Sequence, residues 1–67
     1  MNPAPWVTLH EPLLTAADVA GLLGVPRSTI YEYARRQIDP LPSIEIGRHR
    51  RFCRSDLEHW LSNHRSR

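Results

Sequence analysis

A regular series of apolar residues begins just after Thr15. Thr15 and Asp18, three residues later, are polar residues typical of a helix start. The threonine hydroxyl can cap the helix, and a carboxylate three residues later can accept a hydrogen bond from the backbone of the capping residue. Gly24 follows the last periodic position and can adopt the left-handed conformation that ends helices. We therefore predict a short helix between Thr15 and Gly24. Its predicted apolar face consists of Ala17, Val19, Ala20, Leu22 and Leu23.

A second helical pattern follows after a turn of only a few residues. Pro26 suits a helix entrance, because the N–H that proline lacks would have no partner there. The pattern predicts a helix from Arg27 to about Gln37. Its inward residues are predicted to be Ile30 and Ala34, with Tyr31 and Tyr33 half-buried. Two short helices joined by a glycine-containing turn are typical of a helix-turn-helix, although ordinary helical hairpins share this pattern.

The next stretch changes from helical to strand periodicity. Residues 39–42 (DPLP) cannot continue a helix, because each proline disfavours helical backbone in the residue before it. Residues 43–46 alternate polar and apolar, residues 47–49 form a glycine-containing turn, and residues 50–52 suit a returning strand. We predict a two-stranded hairpin with Ile44, Ile46 and Phe52 facing the helices and Arg48, His49 and Arg50 at the tip.

A last helix is expected to start near Arg54 or Ser55, where Ser55 and Glu58 have the spacing of a second capping box. Its apolar residues Leu57, Trp60 and Leu61 share one face, so this tryptophan is expected in the core. Residues 63–67 are predicted to be a frayed polar tail. Residues 1–12 contain three prolines and no periodicity, and are predicted to be a flexible arm that Trp6 attaches to the domain.

Together these elements predict a mainly α fold with a small β-hairpin. It is a winged helix-turn-helix of three helices and a two-stranded wing over residues 13–64, between an arm (1–12) and a tail (65–67). A chain of 67 residues forms one small domain, and a deep substrate cleft is not expected. No apolar run reaches the length of a membrane span, and the start lacks the features of a signal peptide. A single cysteine allows no internal disulfide. These features exclude a secreted miniprotein, a membrane protein and most enzymes, and favour the reducing cytoplasm.

The charge distribution indicates a polyanionic partner. The formal net charge is only +2, but all nine arginines lie in residues 27–67, and the segment 48–54 holds four of them without an acid. Clustered arginines of this kind are typical of nucleic-acid-binding surfaces, although a solvated hairpin could also carry them. In the predicted second helix, Arg27, Ser28 and Thr29 form the first turn and Arg35 and Arg36 the far end. A recognition helix uses such positions for bases and phosphates, but Ser28 and Thr29 could instead cap the helix.

Other chemistry is less well supported by the residues. An enzyme would need a nucleophile with a base, and Cys53, His49 and His59 are present, but Cys53 adjoins Phe52 at a predicted strand-to-helix junction. These residues and His64 lack paired zinc-ligand spacing. Cys53 is expected to be a small, partly buried residue, with sensitivity to oxidation as an alternative. We therefore predict no catalytic residue, no metal and no cofactor.

Three segments resemble the excisionase-type, MerR-like winged helix-turn-helix DNA-binding domains. Residues 14–31 (LTAADVAGLLGVPRSTIY) resemble their opening two helices, residues 46–52 (IGRHRRF) their wing and residues 56–61 (DLEHWL) their closing helix. The resemblance covers about residues 13–62 in the same order. It differs in two places: Gln37 stands where the family commonly has glycine, and the connection through residues 38–42 is slightly longer.

The resemblance implies that the second helix enters the major groove of double-stranded DNA and that the wing approaches the adjacent minor groove. By position it assigns groove and phosphate contacts to Arg27, Ser28, Thr29 and Tyr31, flanking contacts to Arg35 and Arg36, and wing contacts to Arg48, His49, Arg50 and Arg51. The implied role is an excisionase, or recombination directionality factor, that bends DNA at an attachment site in a bacterial or phage-infected cell. The alternatives are a small transcriptional regulator and a protein-interaction module. Partners would include a site-specific integrase and further copies of the chain along DNA.

Overall fold

The computed structural model describes residues 11–64 as three helices and one hairpin. Helix α1 spans Ala16–Leu23, α2 spans Arg27–Arg35 and α3 spans Arg54–His64. Strands β1 (Ile44–Ile46) and β2 (His49–Arg51) lie between α2 and α3 and pair antiparallel. The predicted architecture, mainly helical with a two-stranded wing, is confirmed. The predictions for residues 1–10, including attachment through Trp6, and for the tail 65–67 lie outside the described residues.

Helix α1 starts at the predicted capping box and ends at the predicted glycine. The Thr15 N–H donates to Oδ2 of Asp18 and the Asp18 N–H donates to Oγ1 of Thr15, both at 3.0 Å, which completes the capping box. At the other end Gly24 has φ 71° and its N–H donates to the Ala20 carbonyl at 2.8 Å. The apolar face is shifted from the prediction. Ala16, Val19 and Ala20 are buried, whereas Ala17 and Leu22 are exposed.

The variant Thr15→Ala tests this cap. It removes the hydroxyl that accepts the Asp18 N–H, so we expect the free energy of unfolding to fall by about 1 kcal/mol. Urea denaturation followed by circular dichroism measures the change. Ser62→Ala is the control, because Ser62 is exposed within α3 and caps no helix. An unfolding free energy that is the same in both variants would show that the capping box adds nothing to stability.

Helix α2 ends at Arg35, two residues before the predicted end at Gln37. Arg36 is already extended, with φ −61° and ψ 146°. The Tyr33 carbonyl, which Gln37 would have used to continue the helix, accepts instead from the Leu41 N–H at 3.0 Å. Leu41 is 1% exposed, so its burial draws the connection back against the helix and ends it early. Tyr33 is half-buried as predicted, whereas Tyr31 is exposed.

The hairpin has a tighter turn than predicted. Only Gly47 (φ 61°) and Arg48 separate the strands, so Ile46 pairs with His49 and Glu45 pairs with Arg50. Phe52 is fully buried and exchanges two backbone hydrogen bonds with Leu14, of 2.7 and 2.8 Å, which anchor the hairpin base to the start of the domain. The prediction that Ile46 faces the helices is wrong. Its side chain is 50% exposed because it lies in the last strand pair before the turn, beyond the core.

Helix α3 begins at Arg54, two residues earlier than a cap at Ser55 requires. The Leu57 N–H donates to the Cys53 carbonyl at 3.0 Å, so Cys53 occupies the cap position and Ser55 lies inside the helix. The predicted capping box of Ser55 and Glu58 is therefore wrong. The helix also continues through His64, into the segment that was predicted to be a frayed tail.

All three helices and the chain on either side of the hairpin contribute to one core. Ile30, Phe52, Leu57 and Trp60 are buried as predicted. Ala16 and Leu41 are the members that the periodicity did not indicate, and Leu41 stands alone between two prolines. The buried residues are Ala16, Val19, Ala20, Ile30, Leu41, Phe52, Leu57 and Trp60. The core thus joins the two-helix unit to the hairpin base and to α3, and supports the polar surfaces described below.

Candidate nucleic-acid interface

The first turn of α2 presents polar side chains that have no capping role. The residue at the cap position is Pro26, which makes no side-chain cap hydrogen bond, and Ser28 and Thr29 are the second and third residues of the helix. The capping alternative for these two hydroxyls is therefore wrong. Arg27 and Ser28 are exposed, and Thr29 is half-buried. This helix start can contact an anionic or hydrogen-bonding partner without breaking a contact within the domain.

Exposed side chains continue along α2 in steps of four residues. Arg27, Tyr31 and Arg35 follow one another at this spacing, which places them on one face of the helix. Just past the helix end, the Arg36 guanidinium lies 5.8 Å from the centre of the Tyr33 ring, a cation–π contact. The face thus carries a cation at each end and an aromatic residue in its middle, and Arg36 adds a further cation just past the helix.

The hairpin turn contributes a further cation and an imidazole. Arg48 lies in the turn and His49 is the first residue of β2, and both are exposed. Neither side chain has a hydrogen bond or an ion pair within the part of the chain that the structure describes. Gly47 provides the positive φ that turns the chain here. The tip can therefore offer both side chains to a partner.

Arg50 is not at the tip, contrary to prediction. It pairs with Glu45 across the hairpin, and its guanidinium donates to the Glu45 carboxylate at 3.1 Å and to the Ser43 hydroxyl at 2.6 Å. Its side chain is 26% exposed. The Glu45 carboxylate on β1 and the hydroxyl of Ser43, the residue before β1, therefore hold Arg50 along the hairpin. The carboxylate also balances the charge of the arginine.

Arg51 is also turned toward the domain. Its guanidinium donates to the Arg50 carbonyl at 3.1 Å, and the residue is half-buried. Two hydrogen bonds from Thr15 hold the pKa of the Asp18 carboxyl below its ordinary value, and the Arg51 charge adds to this effect. Arg51 thus lies near enough to the start of α1 to interact with its capping carboxylate. The sequence could have indicated the Glu45–Arg50 pair, but only with the correct turn length.

Among residues 11–64, the arginines without a partner all lie on α2, just past its end or in the hairpin turn. Within residues 11–64, Arg50 and Arg51 have the contacts given above and Arg54 pairs with Glu11 at 3.2 Å. The arginines whose guanidinium groups have no hydrogen bond or ion pair there are Arg27, Arg35, Arg36 and Arg48. Arginines that no acid pairs with are available to bind phosphate.

Apart from these surfaces, the described residues offer one thiol, but neither a metal-binding cluster nor a membrane-spanning helix. Cys53 is a free, half-buried thiol whose sulfur lies 3.3 Å from the Ser55 hydroxyl. Residues 11–64 contain no cluster of three or more His, Cys, Asp or Glu that could hold a metal ion. Among the described helices, none has the length and apolar character needed to cross a membrane.

A family model described as a helix-turn-helix domain matches residues 13–65. The chain belongs to this family. The matched span contains all three helices and the hairpin, with α1, the turn at Gly24 and α2 as the helix-turn-helix itself. This membership supports a DNA-binding domain, in a family that includes excisionase-like proteins and is typically non-enzymatic. No curated protein and no solved structure gives a significant match.

Proposed function

We propose that this helix-turn-helix domain binds double-stranded DNA at specific sequences and acts as an excisionase. In this role several copies bind side by side at an attachment site, bend the DNA and promote excision by a site-specific integrase. DNA binding is supported above all by the four unpaired arginines, which all lie on α2, at its end or in the hairpin turn. The excisionase role is supported by the resemblance of residues 14–31, 46–52 and 56–61 to that family.

In the proposed complex, α2 lies in the major groove. Arg27 is the base-reading residue, because a guanidinium can donate two hydrogen bonds to one guanine. Ser28 and Thr29 donate to bases or phosphates beside it, and Tyr31 packs against the groove wall. Arg35 and Arg36, eight and nine residues further on, contact phosphates and set the orientation of the helix without reading sequence.

The hairpin makes the second proposed contact, with an adjacent minor groove. Arg48 and His49 are the proposed contacting residues, because their side chains are exposed and no described group engages them. Arg50 and Arg51 support the hairpin in the free domain, and reach phosphates only along its sides. A cation entering a minor groove responds to groove width, so this contact favours narrow, A·T-rich segments.

The Arg48→Ala variant tests the hairpin contact. Loss of one phosphate-neutralising charge should weaken binding to every DNA sequence and reduce the slope of log K against log salt by about one. Arg54→Ala is the matched control, because it also removes one positive charge but Arg54 pairs with Glu11 at the start of α3. Fluorescence anisotropy with duplex oligonucleotides over a range of salt measures both slopes. An equal reduction of the salt slope in both variants would show that DNA binding depends only on the net charge of the chain.

Footprinting on the DNA that flanks the gene for this chain tests the proposed role. Protection of repeated sites at a recombination junction supports the excisionase, and an excision assay with and without the gene should then show dependence on it. Protection of a promoter, with unchanged excision and altered transcription, would identify a regulator instead. A DNA-binding role would put the domain with the cell's DNA, which in a bacterial or phage-infected cell is the cytoplasmic nucleoid.

A further inference from the structure

The C-terminal turn of α3 contacts the connection that follows α2. His64 Nδ1 lies 2.8 Å from the Trp60 carbonyl oxygen, and His64 Nε2 lies 3.2 Å from Oδ2 of Asp39. The Trp60 indole N–H donates to the Asp39 carbonyl at 3.1 Å. Asp39 is therefore held from two sides by α3. We call this arrangement of Asp39, Trp60 and His64 the clasp.

The clasp requires the charged form of His64. A backbone carbonyl and a carboxylate can only accept hydrogen bonds, so each ring nitrogen must carry a proton to bond with the oxygen that it faces. Neutral imidazole has one N–H and can satisfy only one of the two oxygens. Its unprotonated nitrogen would also direct a lone pair at the other oxygen. The two distances thus match the imidazolium, which donates to both.

The clasp holds a segment that links the two candidate DNA contacts. Asp39 has φ 54°, the left-handed conformation that aspartate tolerates better than most residues. Two residues later Leu41 is buried and bonds to Tyr33 of α2, and β1 begins at Ile44. Since the connection joins α2 to the hairpin, its conformation sets where the hairpin lies relative to α2.

We propose that the clasp positions the hairpin for DNA binding, with His64 as a protonation-dependent positioning residue. The imidazolium makes both contacts and holds the connection against α3, whereas a neutral ring cannot keep both contacts. The effect on DNA affinity rests on the proposed function, whereas the pH-dependent contact does not. The expected direction is tighter DNA binding at lower pH at constant salt.

The surroundings of the clasp limit the size of this effect. The Tyr33 ring lies 5.5 Å from the Trp60 ring, and the Arg36 guanidinium lies 5.8 Å from the centre of the Tyr33 ring. The side chains of His64 and Asp39 are 36% and 47% exposed, so solvent screens their attraction. Exposed pairs change an equilibrium constant by about 1.5- to 5-fold. A contact can shift DNA binding by no more than its own free energy, so this range is also the limit for affinity.

The first experiment measures the contact itself in the full chain. Urea unfolding of the native chain, His64→Gln, Asp39→Asn and the double variant at about pH 5.5 and about pH 8.5 gives the coupling between the two side chains. We expect coupling of about 1.5- to 5-fold in the unfolding constant at the lower pH and none at the higher pH. His59→Gln is the control, because His59 is exposed on the same helix and has no partner within residues 11–64. The clasp is overturned if the coupling between residues 64 and 39 is absent at the lower pH. It is also overturned if His59→Gln couples to Asp39→Asn as strongly as His64→Gln does.

The second experiment measures the consequence for DNA. All variants carry His49→Gln, which removes the titratable group that the hairpin itself would bring to DNA. Anisotropy with one duplex oligonucleotide at fixed salt should show affinity that falls about 1.5- to 5-fold from about pH 5.5 to about pH 8.5. The decrease should be smaller in Asp39→Asn, which keeps the same histidines but removes the carboxylate that His64 contacts.

The outcomes separate the two proposals. A pH response of the same size in Asp39→Asn would come from histidine charge alone and would overturn the positioning role. Coupling in the unfolding experiment together with DNA affinity that does not change with pH would also overturn it. Coupling with no DNA binding at either pH, in the native chain as well as in the His49→Gln variants, would leave the clasp standing and overturn the proposed function instead.

Discussion

Replacing Arg27 with alanine should reduce the preference of the domain for its cognate site over random DNA by about 1–3 kcal/mol, roughly 5- to 150-fold. Arg27 is the first residue of α2, it is exposed, and no described group engages its guanidinium. A recognition helix places its first turn against base edges, so this side chain is the one best placed to donate two hydrogen bonds to a guanine. Competition binding with labelled cognate and unlabelled random duplexes measures the preference.

The contrast with Arg35→Ala separates base reading from phosphate binding. Arg35 is exposed on the same face of α2, in its last turn, and is proposed to contact phosphate. Its loss should weaken cognate and random binding equally and flatten the salt slope by about one. If Arg27→Ala behaves in the same way, Arg27 is a phosphate contact and specificity comes from other residues or from DNA shape.

Replacing Phe52 with alanine should destabilise the domain by about 3–5 kcal/mol, more than any other single change considered above. Phe52 is fully buried, and its backbone pairs with Leu14 while its side chain fills the core beside α1 and α3. A chain of 67 residues has a total stability on the order of 3–10 kcal/mol, so the variant should be partly or fully unfolded without denaturant. Helical circular dichroism and the urea midpoint measure this loss.

Ile46→Ala is the matched control, because it removes a large apolar side chain from the same hairpin at a position that is 50% exposed. Its effect on stability should stay within about 0.5 kcal/mol, the usual range for surface positions. Comparable losses in the two variants would mean that the hairpin base is not part of the core. DNA binding should be lost in Phe52→Ala through unfolding, and retained in Ile46→Ala.

The length of the hairpin turn explains why the position of Arg50 differs from the prediction. A three-residue turn over residues 47–49 pairs Ile46 with Arg50, whereas the observed turn of Gly47 and Arg48 pairs Glu45 with Arg50. A change of one residue moves a side chain to the opposite face of the hairpin and gives it different neighbours. The longer turn predicts Arg50 at the tip, whereas the DNA contact of Arg51 is implied by the family resemblance. In the free domain both side chains contact other parts of the protein.

The sequence by itself determined the features that depend on residues within about one helical turn of one another. The Thr15–Asp18 capping box, the Gly24 stop, the helix entrance after Pro26 and the glycine turn at residue 47 are all of this kind. Only the tertiary structure decided the end of α2, the burial of Leu41 and the contact of His64 with Asp39. Those features join segments that are far apart along the chain. Residue spacing cannot encode them, because packing of the whole core selects which distant groups meet.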